Sequence, residues 1–350
     1  MQTNRQVLER QQADALIQNQ STTALTLLAP AKINLALQVT QQLVNGKHQL
    51  SSVFTTIDLA DRLQFVLDKS ARQQTSIQMS YADDLPALLL CDSDNTVYQA
   101  IQLFEQLTGN QLPGSLQIHV DKSIPSQAGL GGSSSDAACT LWALQLLYPE
   151  LATPEIISQV ACQVGADVNF FLVGGCMLMG GVGELPVQSI DLPVLDILVV
   201  KPHSGISTKE AYQQFDRDPQ PIQDLGSLVC LLSNNAESSS SSDSGDSITG
   251  GAGASGDGLM DRQVLHRSIA PLLKNNLAQA AIQLVPEIKG LIASLKQQPE
   301  VLAAQVTGSG SAVFALCTSQ HAAKLLAAQF IDDGFWAYAA KTTAAAAAAC

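Results

Sequence analysis

The stretch Pro125-Ser-Gln-Ala-Gly-Leu-Gly-Gly-Ser-Ser-Ser-Asp-Ala-Ala138 constrains this chain more than any other. Before it, Leu116, Ile118 and Val120 alternate as in a strand; after it, Ala137, Leu141, Leu144 and Tyr148 recur at helical spacing up to Pro149. The stretch is therefore a strand-to-helix connection. Glycines at 129, 131 and 132 let the backbone approach a ligand closely, and consecutive amides at a helix N-terminus suit an anionic phosphate. The hydroxyls of Ser133, Ser134 and Ser135 add donors. Taken alone, the loop reads equally well as a tight turn capped by serine.

Two familiar phosphate loops do not fit. A P-loop requires GxxxxGK[ST], and the one Gly-Lys pair, Gly46-Lys47, is followed by His48. The dinucleotide fingerprint GxGxxG lacks its third glycine here, and Glu150, at about the right distance for a ribose-binding acid, follows Pro149 beyond a helix. Hydride transfer is disfavoured.

The rest of the chain sets the frame. At 350 residues with 46% hydrophobic content it has material for two domains around a cleft. A net charge of −13 without a dense Lys/Arg block argues against nucleic acid or an anionic membrane as partner, so any nucleotide is bound locally. The seven cysteines, an odd number with no CxxC pair, point to neither a disulfide framework nor a zinc site, and a reducing compartment fits best. No apolar run is long enough to cross a bilayer. The first twenty or so residues lack the apolar centre of a secretory signal.

Ile33, Leu35, Leu37 and Val39 alternate as in a half-buried strand, which puts Lys32 and Asn34 together on its other face. Thr153-Pro154-Glu155 is a helix start and Gly165 a stop. Asn234 to Gly258, nearly all Ser, Gly, Asp and Ala, is expected to be a disordered surface insertion. The alanines from Ala344 to Ala349 are expected to extend a terminal helix. Strands and helices intermix, giving an α/β or α+β protein.

The loop resembles that of the GHMP kinases, whose pattern is Pro-x-x-x-Gly-Leu-Gly-Ser/Gly-Ser-Ser. Four further blocks occur in that family's order: Ala29-Pro-Ala-Lys-Ile-Asn-Leu35, Gly165-Ala-Asp-Val-Asn-Phe-Phe171, Ile206-Ser-Thr-Lys-Glu-Ala-Tyr212 and Thr307-Gly-Ser-Gly-Ser-Ala-Val-Phe314. Within the superfamily the closer likeness is to kinases of a cytidine diphosphate-linked alcohol in the non-mevalonate isoprenoid pathway. The resemblance implies a two-domain α+β fold, with a ribosomal-protein-S5-like N-terminal domain over residues 23–195 and a ferredoxin-like C-terminal domain over 196–341. An extension expected to be disordered, 1–22, would precede them and an Ala-rich tail, 342–350, follow.

It also implies ATP and Mg2+ as cofactors, with metal ligands unassigned. The nucleotide would lie against Pro125, Ala128, Gly129, Leu130, Gly131, Gly132 and the serines 133, 134 and 135. Asp167 would be the base and Lys32 its partner, favouring the alkoxide; without the resemblance, Asp167 reads as a helix cap and Lys32 as a solvated strand residue. Asn34, His48, Thr208, Tyr212, Gly308 and Gly310 would face the substrate, with Tyr212 stacking on cytosine and His48 hydrogen-bonding it. The family's aromatic before that histidine is replaced by Lys47, which removes one stacking face and predicts weaker cytidine binding. Gln127, Ser133 and Asp136 also depart from the usual loop, Asp136 adding an acid near the phosphates, and Asn169 replaces a proline. A kinase of homoserine, mevalonate or a sugar, and a non-catalytic binding protein of the same fold, are the alternatives. Plastid stroma and bacterial cytoplasm both suit such an enzyme, with the insertion leaning toward the former.

Overall fold

The alternation at Ile33 to Val39 lies within one of two 21-residue strands that organise the protein: β2 (Thr22–Gln42) and β3 (His48–Asp68), antiparallel along most of their length. In this computed structural model the described residues are 17–18, 22–43, 46–82, 94–222, 224–237, 262–344 and 348–349.

β2 is flanked by β1 (Ile17–Gln18) and carries the short β9 (Lys274–Asn275) and β13 (Ala348–Ala349). β3 is the hub. Its C-terminal third pairs with β5 (Ser115–Lys122), which pairs in parallel with β4 (Gln74–Tyr81). Its N-terminal third pairs with β6 (Cys176–Gly180) and thence β7 (Leu185–Ile190). Between those, Thr56 and Ile57 pair with β12 (Trp336–Thr343), which continues antiparallel through β8 (Asp196–Lys201), β11 (Val313–Cys317) and β10 (Val301–Val306). One continuous sheet thus joins the two halves of the chain.

Helices α1 (Thr96–Thr108), α2 (Gly132–Leu147), α3 (Pro154–Val164) and α4 (Val168–Val173) follow in the first half. In the second come α5 (Thr208–Arg217), α6 (Gly226–Glu237), α7 (Arg262–Ile269), α8 (Ala278–Leu284), α9 (Glu287–Lys296) and α10 (Gln320–Asp332). The helix start at Thr153 forms as expected: its hydroxyl accepts from the Ile156 amide, Pro154 occupies the first turn, and the helix ends at Gly165. A core of Leu63, Phe65, Leu67, Phe104, Leu116, Leu144, Phe170 and their neighbours fills the space between the first four helices and the sheet. Leu198, Val200, Phe215, Leu277, Ile288 and Phe330 anchor a second one around β8 and β11.

Three expectations change. β2 is not half-buried: Ile33 and Leu35 are sealed on one face, and Lys32 and Asn34 on the other are only 4% and 2% exposed. Packed elements cover both faces of the long strand, so alternation marks polarity here and not exposure. The terminal alanines do not extend a helix, because Ala348 and Ala349 pair with Leu28 and Leu27; ladder bonds to an available strand edge outweigh alanine's helix propensity. At the other end Ile17 and Gln18 pair with Ala24 and Thr23, so the extension is ordered there. Of the expected insertion, residues 234–237 belong to α6, while 238–258 lie outside the described residues, as do 1–16. Among the described residues no helix is long and apolar enough to cross a membrane.

Candidate active site

The glycine loop folds back on itself through left-handed backbone at Gln127, Gly129 and Gly131, with φ of 52°, 75° and 74°. The two glycines are required twice over, by conformation and by space. A Cβ on Gly129 would lie 2.2 Å from the Thr307 carbonyl oxygen, and one on Gly131 2.8 Å from the Phe171 ring. Backbone bonds fix the loop from both halves of the chain. The Lys32 amide donates to the Leu130 carbonyl, Ile206 and Ser311 amides donate to that of Gln127, and the Ala312 amide to that of Ala128. α2 then begins at Gly132 with no side chain capping it, so its positive end faces the adjoining cavity.

That cavity, about 810 Å³, is lined by Pro125 through Ser134, by Lys32, Asn34, His48 and Asp167, and by Thr208, Tyr212, Gly308 and Ser309. Lys32 donates to Asn34 Oδ1 at 2.7 Å, stands 4.8 Å from the centre of the Phe54 ring and lies 3.7 Å from Asp167 Oδ2. Burial pulls the Lys32 ammonium below its usual range, and the Asp167 charge offsets part of that. Asp167 occupies the position before α4, yet its side chain makes no capping bond and is 29% exposed. Its carboxylate is thus directed to Lys32 and the cavity instead of to the helix.

Asn34 is held on three sides. Its backbone amide donates to Thr307 Oγ1 at 3.0 Å, its Nδ2 donates to Ser52 Oγ at 2.8 Å, and its Oδ1 accepts from Lys32 Nζ. Gly308 follows Thr307 with φ of 55°; a Cβ there would sit 3.2 Å from Lys32 Nζ. The wall opposite is α5, whose Thr208, Tyr212 and Asp216 recur four residues apart and line the cavity together. His48 stacks on Tyr212 with ring centres 4.8 Å apart and bonds Asp216 Oδ1 through Nε2 at 2.6 Å. Burial, with the Asp167 charge, pushes the Tyr212 phenol up, so it stays protonated. The arrangement offers a phosphate cradle, an ammonium–carboxylate pair beside it and an aromatic wall.

Sequence comparison gives the same picture from outside. The GHMP kinases N terminal domain matches residues 95–175 and the GHMP kinases C terminal domain residues 263–334. A 4-diphosphocytidyl-2-C-methyl-D-erythritol kinase from Desulfitobacterium hafniense (strain Y51) is 32% identical over 318 residues, covering 90% of this chain and 95% of the relative. This chain belongs to that kinase family. The crystal structure of a 4-(cytidine 5'-diphospho)-2C-methyl-D-erythritol kinase superposes with a TM-score of 0.66 at 28% identity, over 91% of this chain and 98% of the other. A chloroplastic/chromoplastic relative from Solanum lycopersicum is 33% identical over 224 residues, 63% of this chain and 54% of its own. The fold is accordingly the two-domain GHMP kinase fold, and the protein is an ATP-dependent small-molecule kinase.

Within this kinase most of the expected site residues meet at the cavity, but two do not. Ser135 is wholly buried, since each helical step rotates the side chain by about 100° and the fourth residue of α2 turns into the core. Gly310 lies behind the cavity, where a Cβ would meet Ala281, Ile206 and Val306. Asp136 does not add an open acid beside the phosphates, being 2% exposed and paired with Lys122. His48 is the first residue of β3 and is buried. Thr307, Asp216 and Lys122 are members of the site that the motifs did not single out. Thr307 stands inside a quoted motif, Asp216 four residues after Tyr212, and Lys122 two residues beyond Val120 on the same strand face.

Proposed function

We propose that this kinase transfers the γ-phosphoryl group of ATP to the 2-hydroxyl of 4-diphosphocytidyl-2-C-methyl-D-erythritol, the alcohol in the names of its relatives. The observation that carries the reading is the Lys32–Asp167 pair, 3.7 Å apart beside the phosphate loop, with Asp167 making no bond to its own helix. Asp167 accepts the hydroxyl proton as the substrate oxygen bonds to phosphorus and the bond to the ADP oxygen breaks. Lys32, held by Asn34, supplies positive charge to the attacking oxygen and the transferred group. The backbone of Gly129 to Gly132 and the hydroxyls of Ser133 and Ser134 hold the nucleotide phosphates. The cytidine end lies along His48 and Tyr212. Among the described residues no group of three or more His, Cys, Asp or Glu side chains is arranged to hold a metal ion. A magnesium ion bound with the nucleotide would offset charge on the transferred group. With relatives from a bacterium and from a plant whose protein is named chloroplastic, the reading places the enzyme in a bacterial cytoplasm or a plastid stroma.

The test is ADP release by purified protein with ATP and this alcohol, beside homoserine, mevalonate and galactose. Asp167→Asn should lower kcat about 10²–10⁴-fold with an unchanged fold by circular dichroism. Turnover of a different alcohol would move the substrate assignment, and full activity in the variant would remove Asp167 as base.

A further inference from the structure

Three buried ionisable side chains lie against the phosphate loop without touching the Lys32–Asp167 pair. Asp61 of β3, Lys122 at the end of β5 and Asp136 of α2 are 0%, 7% and 2% exposed. Lys122 Nζ donates to Oδ2 of Asp61 and to Oδ2 of Asp136. Asp61 Oδ1 accepts from the backbone amides of Ser123 at 2.6 Å and Ile124 at 2.8 Å. Those amides directly precede Pro125, where the loop begins, whereas Asp136 belongs to the helix into which it runs. Gly132 sits between, where a Cβ would come within 3.0 Å of Ile124 and 3.5 Å of Asp61 Oδ2. A buried ion cluster is a poor source of stability, since well-packed apolar side chains of similar volume do as well or better. Fold stability therefore does not account for three buried ionisable groups here.

We propose that Asp61, Lys122 and Asp136 form a positioning clamp that fixes the entry and exit of the phosphate loop relative to each other and thereby sets the affinity for ATP. The inference rests on the reading above that this loop holds the ATP phosphates.

The clamp contains two carboxylates and one ammonium. Burial pushes the Asp136 carboxyl up to about 8, with Lys122 drawing it down and Asp61 pushing it further up. Burial also works to lower the Lys122 ammonium, but the charges of Asp136 and Asp61 outweigh it and the group is raised. Asp136 Oδ1 has no hydrogen-bond partner among the described residues, which leaves an ionised carboxylate poorly solvated. Lys122 from β5 and Asp61 from β3 are the charged groups that face it. At neutral pH Asp136 thus keeps its proton and the clamp is neutral; as pH rises through about 8 the clamp gains one negative charge, buried behind the loop. The unfolded carboxyl ionises near 3.8, so what Asp136 contributes to stability is complete below that pH and is lost as pH rises through about 8.

The experiment is KM for ATP, with KM for the alcohol and kcat, from pH 6.5 to 9.5 in wild type, Asp61→Asn, Asp136→Asn and Gly129→Ala. KM for ATP in wild type should rise several-fold above about pH 8, and Asp136→Asn, which cannot ionise, should flatten that rise. Asp61→Asn keeps an acceptor for the two amides but turns an NH2 toward Lys122, so KM for ATP should increase about tenfold while KM for the alcohol stays within about twofold. The clamp is overturned if Asp136→Asn keeps the wild-type pH profile, or if a folded Asp61→Asn leaves KM for ATP unchanged or shifts both KM values alike. Should Asp61→Asn not fold, the Asp136→Asn profile decides alone. Gly129→Ala separates the two readings. If it raises KM for ATP while the aspartate variants do nothing, only the clamp falls; if it has no effect, the loop reading and the clamp fall together.

Discussion

Two lysine–aspartate contacts flank the same glycine loop, and they are built oppositely. Lys32 faces Asp167 at 3.7 Å across a site where the carboxylate is 29% exposed, and burial holds its ammonium below the usual range. Lys122 is clasped between two carboxylates, each with 3% or less of its side chain exposed, and its ammonium is raised. The residue types are identical, so separation and access decide what each pair can do. A loose, partly open pair leaves room for a substrate oxygen between its members and can exchange a proton. A closed cluster, with its ammonium committed to two buried carboxyls, leaves no room for a substrate oxygen and acts by holding backbone in place.

Matched substitutions put this contrast at risk most directly. Lys32→Met should lower kcat about 10²–10³-fold, as expected when a charge aimed at the transition state is removed, with little change in melting temperature. Lys122→Met leaves the buried Asp61 carboxylate without its counter-ion and Asp136 without its partner, a loss of about 3–5 kcal/mol that should appear as a marked drop in thermal midpoint. Thermal melts and steady-state kinetics on both proteins decide the matter. A stable Lys122→Met enzyme, or a Lys32→Met enzyme that simply unfolds, would erase the distinction.

Beside the open pair lies Gly308, where a sharper and smaller effect is expected. Its φ of 55° is unfavourable for an L side chain, and a Cβ would come within 3.0 Å of the Gly129 carbonyl and 3.2 Å of Lys32 Nζ. Gly308→Ala should therefore cost about 1–2 kcal/mol of backbone strain and displace the ammonium, lowering kcat about tenfold. Retention of full kcat would mean that the position of Lys32 is not tightly set from the β10–β11 turn.

How much of this was legible in the sequence differs between the same two regions. Ile57, Leu59, Leu63, Phe65 and Leu67 alternate, with Asp61 in the middle of the series, and Leu116, Ile118 and Val120 alternate toward Lys122. A charge continuing an apolar strand face is a written signal of a buried ion pair. The partner of each was not written, since Asp61 and Lys122 are 61 residues apart. The open pair was less legible still. Alternation placed Lys32 beside Asn34 correctly, but nothing local ties Lys32 to Asp167, and only the family likeness joined them. Thr307, 273 residues from the Asn34 amide it receives, is a purely tertiary partner. Local periodicity records which face a residue occupies; the register of distant strands and loops, set by the whole sheet, records what it meets there.

The smallest effect expected concerns the outer wall of the cavity, where the family resemblance leads to the expectation of an aromatic and the sequence has Lys47. This residue is exposed at the rim, between the left-handed Gly46 and the buried His48. The aromatic surface there is already partly spent, because one face of Tyr212 is covered by His48 at 4.8 Å and His48 is tied to Asp216. A cytidine ring arriving at this wall lacks a second aromatic face to complete a sandwich. Lys47→Tyr should supply one, worth about 0.5–1.5 kcal/mol and so a fall in KM for the cytidine alcohol of roughly two- to tenfold. Because the substitution leaves Lys32 and Asp167 in place, kcat should stay within about twofold. An unchanged or higher KM would show that the base does not lie against this wall, and Lys47 would then be a contact for the diphosphate, for which Lys47→Gln should raise KM.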